Sequence, residues 1–190
     1  MSQTLDVAAA RAAFERAIAD DTRTFGNFFL SRFLGLSIEY PDDESCVVAF
    51  EVHDYMFNPQ GTLHGGVIAT VLDISMGHLL TRSVGRGMTL EMGTKYLRPA
   101  RAGRLRAEGR FLKKGKSINT LEARLYDAER SLLAVANSTW QLLPGAGGGD
   151  AIRNLMGGQA DIAFSDPPSL FAALDKGEKL RVIYDIYPQN

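Results

Sequence analysis

The sequence predicts an α+β fold in which an antiparallel sheet packs against one long central helix. Three observations carry this. Residues 65–81 have the length and composition of a single helix, closed by Gly85, Arg86 and Gly87. The stretches MTLEMGTKYL, RLRAEGRFL, SINTLEARLY and SLLAVANSTWQLL then read as strands. Their connections, PARAG, KKGK and DAER, are short enough to favour antiparallel hairpins.

Taken in order, Thr4 to Asp21 is an alanine-rich helix with Thr4 as its cap and Val7, Phe14 and Ile18 on one face. In FGNFFLSRFLGL, Phe25, Phe29 and Phe33 recur at four-residue spacing, which predicts a helix packed on the core; the sharper reading is a wall of an apolar substrate pocket. LSIEY and CVVAFEVHD form two strands about the turn PDDES. On the long helix, Val67, Ile68, Val71, Leu72, Ser75 and Leu79 make a broad stripe for the sheet, while Gly66, Ala69, Thr70, Asp73 and Gly77 make a face of small residues with one charge. In the last strand Leu132, Ala134, Ala136, Trp140 and Leu142 share a face, with Ser138 its polar exception. PGAGGGD then marks a flexible break, followed by a weak helix, SLFAALDKG, and a strand, RVIYDIY. The division is 1–30 as an N-terminal helical segment, 31–143 as the main domain and 144–190 as a C-terminal extension.

Composition narrows the function. At 190 residues, 45% hydrophobic, 23% charged and with a net charge of -1, the chain has no overall pull toward nucleic acid or anionic membrane. One cysteine, Cys46, excludes an intrachain disulfide framework, and it reads as a small strand residue. No run approaches the ~18 apolar residues of a membrane span, and the N-terminus has acids where a secretory signal needs an apolar core, so a cytoplasmic protein is expected. His53, His64 and His78 have no ligand spacing, so no metal is expected, and His53 and His78 read as structural or surface residues.

Chemistry concentrates in NPQGTLHGGVIATVLD, residues 58–73. His64, Gly65 and Gly66 open the helix, where free N–H groups and the positive end of the dipole stabilise an anion or a developing oxyanion. Asp73 sits eight residues beyond Gly65, roughly 12 Å along the axis at ~1.5 Å per residue, too far for both to act on one carbonyl. An antiparallel second copy of the helix would bring one subunit's Asp73 to the other's Gly65, which predicts a two-fold dimer with shared sites.

Asn58, Gly61-Thr62-Leu63-His64-Gly65-Gly66 and Asp73 together resemble the signature of hotdog-fold acyl-CoA thioesterases, closest to the phenylacetic-acid-degradation (PaaI-like) group. The likeness runs from about Phe33 to Leu143 and includes MTLEMGTKYLRPARAG and KKGKS. It implies a hotdog fold and hydrolysis of an acyl- or aryl-CoA thioester to the free acid and coenzyme A, with no cofactor. It implies that the Gly65 N–H polarises the carbonyl, Asn58 orients the thioester, and Asp73 of the partner subunit is general base or nucleophile. Thr89, where relatives often carry serine, would position the water. His64 and Gly66 would shape the substrate-binding loop. The expected assembly is a homodimer or homotetramer.

Arg98 to Lys116 holds eight Lys or Arg (98, 101, 104, 106, 110, 113, 114, 116) against one acid, Glu108. The bland reading is a solvated strand face; the sharper one is that Lys113, Lys114 or Lys116 meets the phosphates of coenzyme A. Two rival functions remain. A hotdog acyl-CoA sensor lacks the catalytic carboxylate and carries a DNA-binding segment, of which the first 30 residues give no sign. A dehydratase or hydratase expects a histidine and an acid arranged differently.

Overall fold

The computed structural model describes residues 4–143 and, beyond them, 152, 155–158, 167–175, 177 and 179–180. Six strands form one antiparallel sheet in the order β1-β2-β4-β5-β6-β3: β1 (Ser37–Asp42), β2 (Ser45–Glu51), β3 (Gly87–Tyr96), β4 (Arg104–Lys113), β5 (Ile118–Tyr126) and β6 (Leu132–Leu142). Two short helices, α1 (Val7–Ile18) and α2 (Phe29–Phe33), precede the sheet, and the long helix α3 (Gly65–Ser83) lies between β2 and β3. α3 packs against β2, β3, β4, β5 and β6.

The core is the seam between helix and sheet. Ile68, Val71, Leu72, Met76, Leu79 and Leu80 of α3 meet Val48 and Phe50 of β2, Leu105 and Ala107 of β4, Leu121, Ala123 and Leu125 of β5, and Ala134, Ala136 and Trp140 of β6. Burying one such large aliphatic side chain contributes about 1.5–3 kcal/mol. Alternation along β6 lets small alanines sit under the helix while Trp140 fills the widening end. Cys46 lies wholly buried in β2, which pushes its thiol up to about 12 and leaves it unreactive.

Three local expectations are corrected. The first concerns α1, whose cap is Asp6 rather than Thr4: its Oδ1 accepts from the Ala9 N–H at 3.0 Å. α1 docks by Ala13 and Ala17, both fully buried, and leaves Val7, Phe14 and Ile18 outward. The alanine side permits a close approach, and Arg32 of α2 donates to the carbonyls of Ala17 and Asp20, capping the C-terminal end. The second concerns the aromatic stripe. Only Phe29 and Phe33 fall in α2, their rings stacked 6.0 Å apart, and Phe33 reaches Tyr55 at 5.4 Å; Phe25 lies before the helix.

The third concerns the connections. KKGK and DAER join hydrogen-bonded neighbours, but PARAG does not. β3 pairs with β6 at the far edge of the sheet, Thr89 opposite Trp140 and Tyr96 opposite Ala134. The chain then crosses to β4 along a path tied by Arg98 N–H to Leu133, Leu63 N–H to Ala100 and Val52 N–H to Gly103 carbonyls. Those carbonyl and amide partners satisfy the backbone that a hairpin would otherwise have paired.

Residues 143–190 cluster as a separate unit, in which the described helix α4 (Pro167–Asp175) covers most of the expected SLFAALDKG helix. The PGAGGGD break and the RVIYDIY strand lie outside the described residues.

Candidate active site

The loop before α3 is built by Asn58. Its Oδ1 accepts from the N–H groups of Gln60 (3.0 Å) and Thr62 (3.2 Å), and its Nδ2 donates to Thr62 Oγ1 at 2.9 Å. An asparagine bonding to backbone two residues on is a turn-former, and Gly61, at φ 70°, completes the reversal. Asn58 is thus engaged in organising the loop that delivers His64 to the helix start. The His64 N–H donates to the Met56 carbonyl at 2.9 Å, fixing that delivery.

His64 caps α3. Its Nδ1 accepts from the Gly66 N–H at 2.9 Å, which removes that donor from the open set. The expectation of two open glycine N–H groups therefore holds for one: the Gly65 N–H donates to no group among the described residues. The Gly65 carbonyl accepts from the Tyr96 hydroxyl at 3.0 Å, anchoring the first turn to β3. Tyr96 was not singled out by the sequence, since nothing in β3 marks which side chain will reach the helix start.

Two turns further along α3, Asp73 is half-buried. Thr89 of β3 donates its hydroxyl to Asp73 Oδ1 at 2.9 Å, joining two residues sixteen positions apart. Burial pushes the Asp73 carboxyl above the ordinary carboxylate range, and the Thr89 hydrogen bond pulls partly against that shift. A desolvated carboxylate with a single hydrogen bond is a stronger base than one in water.

Asp73 and Thr89 stand in the wall of a cleft of about 310 Å³ lined also by Phe25, Phe28, Ile74, Gly77, His78, Thr81, Gly87, Met88 and Trp140. Most of this lining is apolar, so the cleft suits a hydrocarbon or aromatic group beside the Asp73 carboxylate. Of the phenylalanines read as a pocket wall, Phe25 lines this cleft, along with Phe28, while Phe29 and Phe33 pack elsewhere. His78, read from the sequence as an ordinary residue, is 4% exposed and lines the same cleft. The signal available was its place little more than one turn beyond Asp73 on the same helix.

The basic stretch is divided by its partners. Arg110 and Arg124 both pair with Glu122, at 2.7 and 2.8 Å, and Arg104 donates to Ser37. Lys114 pairs with Glu44 and lies 4.5 Å over the Phe111 ring. Lys113 and Lys116 have no side-chain partner among the described residues, so of the three hairpin lysines these two are open to an external anion. Among the described residues no cluster of His, Cys, Asp or Glu could hold a metal ion, and no helix is long and apolar enough to cross a membrane.

The thioesterase superfamily model matches residues 60–134, from the loop before α3 into β6. The thioesterase PA1618 of Pseudomonas aeruginosa is 30% identical over 119 residues, spanning 60% of this chain and 81% of that protein. The chain belongs to the thioesterase superfamily. The medium/long-chain acyl-CoA thioesterase YigI of Escherichia coli K12 is 29% identical over 130 residues, covering 59% of this chain and 84% of that protein. Among solved structures, the PaaI protein of the E. coli phenylacetic acid degradation operon aligns at TM-score 0.61 with 20% identity, over 72% of this chain and 97% of that one, a likeness of fold. The sheet wrapped on α3 is the hotdog fold, and the enzyme is a thioester hydrolase.

Proposed function

We propose that this thioesterase hydrolyses acyl- or aryl-CoA thioesters in a homo-oligomer built on two-fold dimers, each site shared between two subunits. The observation that carries the proposal is the Asp73–Thr89 pair, a desolvated carboxylate at the wall of an apolar cleft, on the helix whose first turn leaves the Gly65 N–H open. The roughly 12 Å rise between Gly65 and Asp73 supports pairing across the dimer rather than within one chain.

In this reading the acyl group enters the cleft and its carbonyl oxygen meets the Gly65 N–H of the partner subunit. Asp73 either takes a proton from a water that Thr89 helps to hold, or attacks the carbon directly. The tetrahedral oxyanion forms against the amide and the helix dipole. On the water route collapse breaks the C–S bond, and coenzyme A leaves as its thiolate and takes up the proton that Asp73 removed, so the free acid remains. On the direct route the same collapse leaves an acyl–Asp73 anhydride, which a water then hydrolyses to the free acid and the regenerated carboxylate. Asn58 acts through the loop it organises, and Lys113 and Lys116 receive coenzyme A phosphates, with Lys114 shared with Glu44.

The test is hydrolysis of a small acyl- and aryl-CoA panel by wild type, Asp73→Asn and Asp73→Ala, with mass measured in parallel. A loss of at least about 100-fold in both variants, with assembly unchanged, is expected. Binding of the panel without hydrolysis by wild type would instead make the protein an acyl-CoA sensor.

A further inference from the structure

The cleft holds a polar group that the hydrolytic reading does not use. His78 lies five residues beyond Asp73 on α3, roughly 7.5 Å further along the axis, and its ring lines the same cleft. Its Nδ1 is bonded to the Tyr40 hydroxyl at 2.8 Å, while Nε2 is buried with no partner. Burial holds the imidazole neutral. Tyr40 Oη and Nδ1 share one hydrogen bond, so Nε2 is a donor in one tautomer of the ring and an acceptor in the other. An unpartnered ring nitrogen in an otherwise apolar cleft is unfavourable unless a ligand pairs with it.

The Phe25 side chain and the Gly26 backbone both lie over that ring. The Phe25 ring lies 4.4 Å from the imidazole, centroid to centroid, and is 59% exposed. Gly26, at φ 87°, turns the backbone over the ring so closely that a Cβ there would lie 3.0 Å from Cε1. Phe25 is exposed enough to rotate outward, and that is the movement a ligand reaching Nε2 requires. Thr81, one turn past Gly77, adds a hydroxyl to the same distal part of the lining.

We propose that His78 Nε2 hydrogen-bonds a hydroxyl on the distal part of the acyl group, so that the preferred substrates are acyl-CoA esters bearing a hydroxyl several carbons from the thioester. The proposal rests on the thioesterase reading of the Asp73 cleft. The axial offset of about 7.5 Å between the two residues is on the order of the span of a six-carbon chain or one slightly longer, which selects the substrates to compare.

The experiment compares kcat/KM for 6-hydroxyhexanoyl-CoA with hexanoyl-CoA, and 8-hydroxyoctanoyl-CoA with octanoyl-CoA, in wild type and His78→Leu. Wild type is expected to favour the hydroxylated ester of at least one pair by about tenfold, the worth of one hydrogen bond, and His78→Leu to bring that ratio to about one. A merely structural histidine would lower both esters together and leave the ratio unchanged, which overturns the proposal. Equal rates for both members of each pair in wild type overturn it without any variant. Hydrolysis of none of the four esters overturns the thioesterase reading beneath it as well. Should His78→Leu lack a cooperative melt, His78→Met carries the same comparison.

Discussion

Gly77→Ala tests how tightly the acyl cleft is drawn. An added Cβ would stand 3.0 Å from Trp140 Cη2 and 3.5 Å from Cζ3, where carbon atoms in contact need about 3.5–4.0 Å. Trp140 cannot simply step aside. Its Nε1–H donates to Ser138 Oγ at 2.5 Å, Ser138 Oγ in turn contacts Met76 Sδ at 3.0 Å, and the ring is 5% exposed. Overpacking of this kind costs about 1–3 kcal/mol, offset by about 1 kcal/mol from replacing a mid-helix glycine with alanine. The net is a loss of about 0–2 kcal/mol, a fall in Tm of up to roughly 8 °C for a chain of this size. Because both residues line the cleft, the larger effect is on substrate. A methyl group intruding into a hydrophobic pocket is worth about 1–3 kcal/mol against the acyl groups that need the space. The expected result across a series from acetyl- to decanoyl-CoA is near-normal kcat/KM for short chains and about a tenfold fall or more for long ones. A uniform change at every length, or none, would refute the assignment of this cleft to the acyl group.

Other expectations follow from the same geometry. Asp73→Asn, besides losing activity, should stabilise the fold at neutral pH. A carboxyl whose folded pKa is raised binds its proton more tightly in the native state, so the wild-type protein loses stability as pH rises from about 4, the unfolded value, through the raised one. The Tm gain of Asp73→Asn should therefore shrink as pH falls toward 4, read by melting curves across that range, and the acid limb of wild-type kcat/KM should lie above the ordinary carboxylate value. Gly65→Pro removes one N–H at the helix position that best accepts proline, and His64, at φ -64° and ψ 134°, already has the extended backbone that must precede it. A fall of about 10²–10³ in kcat with the far-UV spectrum retained is expected, while Gly65→Ala, which keeps the N–H, should stay far closer to wild type. Lys113→Glu and Lys116→Glu should raise KM for acyl-CoA and spare a pantetheine thioester of the same acyl group, as measured by steady-state kinetics; equal effects on both substrates would remove these lysines from the phosphate site.

What the sequence determined by itself was everything written in local period and spacing. The 3.6-residue pattern of α3 and the alternation of β4, β5 and β6 are properties of contiguous residues, and their limits were legible within about two positions. So was the local build of the loop and helix start, because Asn58 and the His64 cap bond to backbone within a single loop and turn. The tertiary structure decided matters that depend on what lies opposite. α1 could bury its large apolar residues or its alanines, and the close approach with Arg32 at its end selected the alanines. PARAG could close a hairpin or cross the sheet, and only the pairing of β3 with β6 chose the crossing. The cleft itself was invisible for the same reason: Phe25 comes from a turn and His78, Thr89 and Trp140 from three elements, and no period along the chain records that packing will bring them around Asp73.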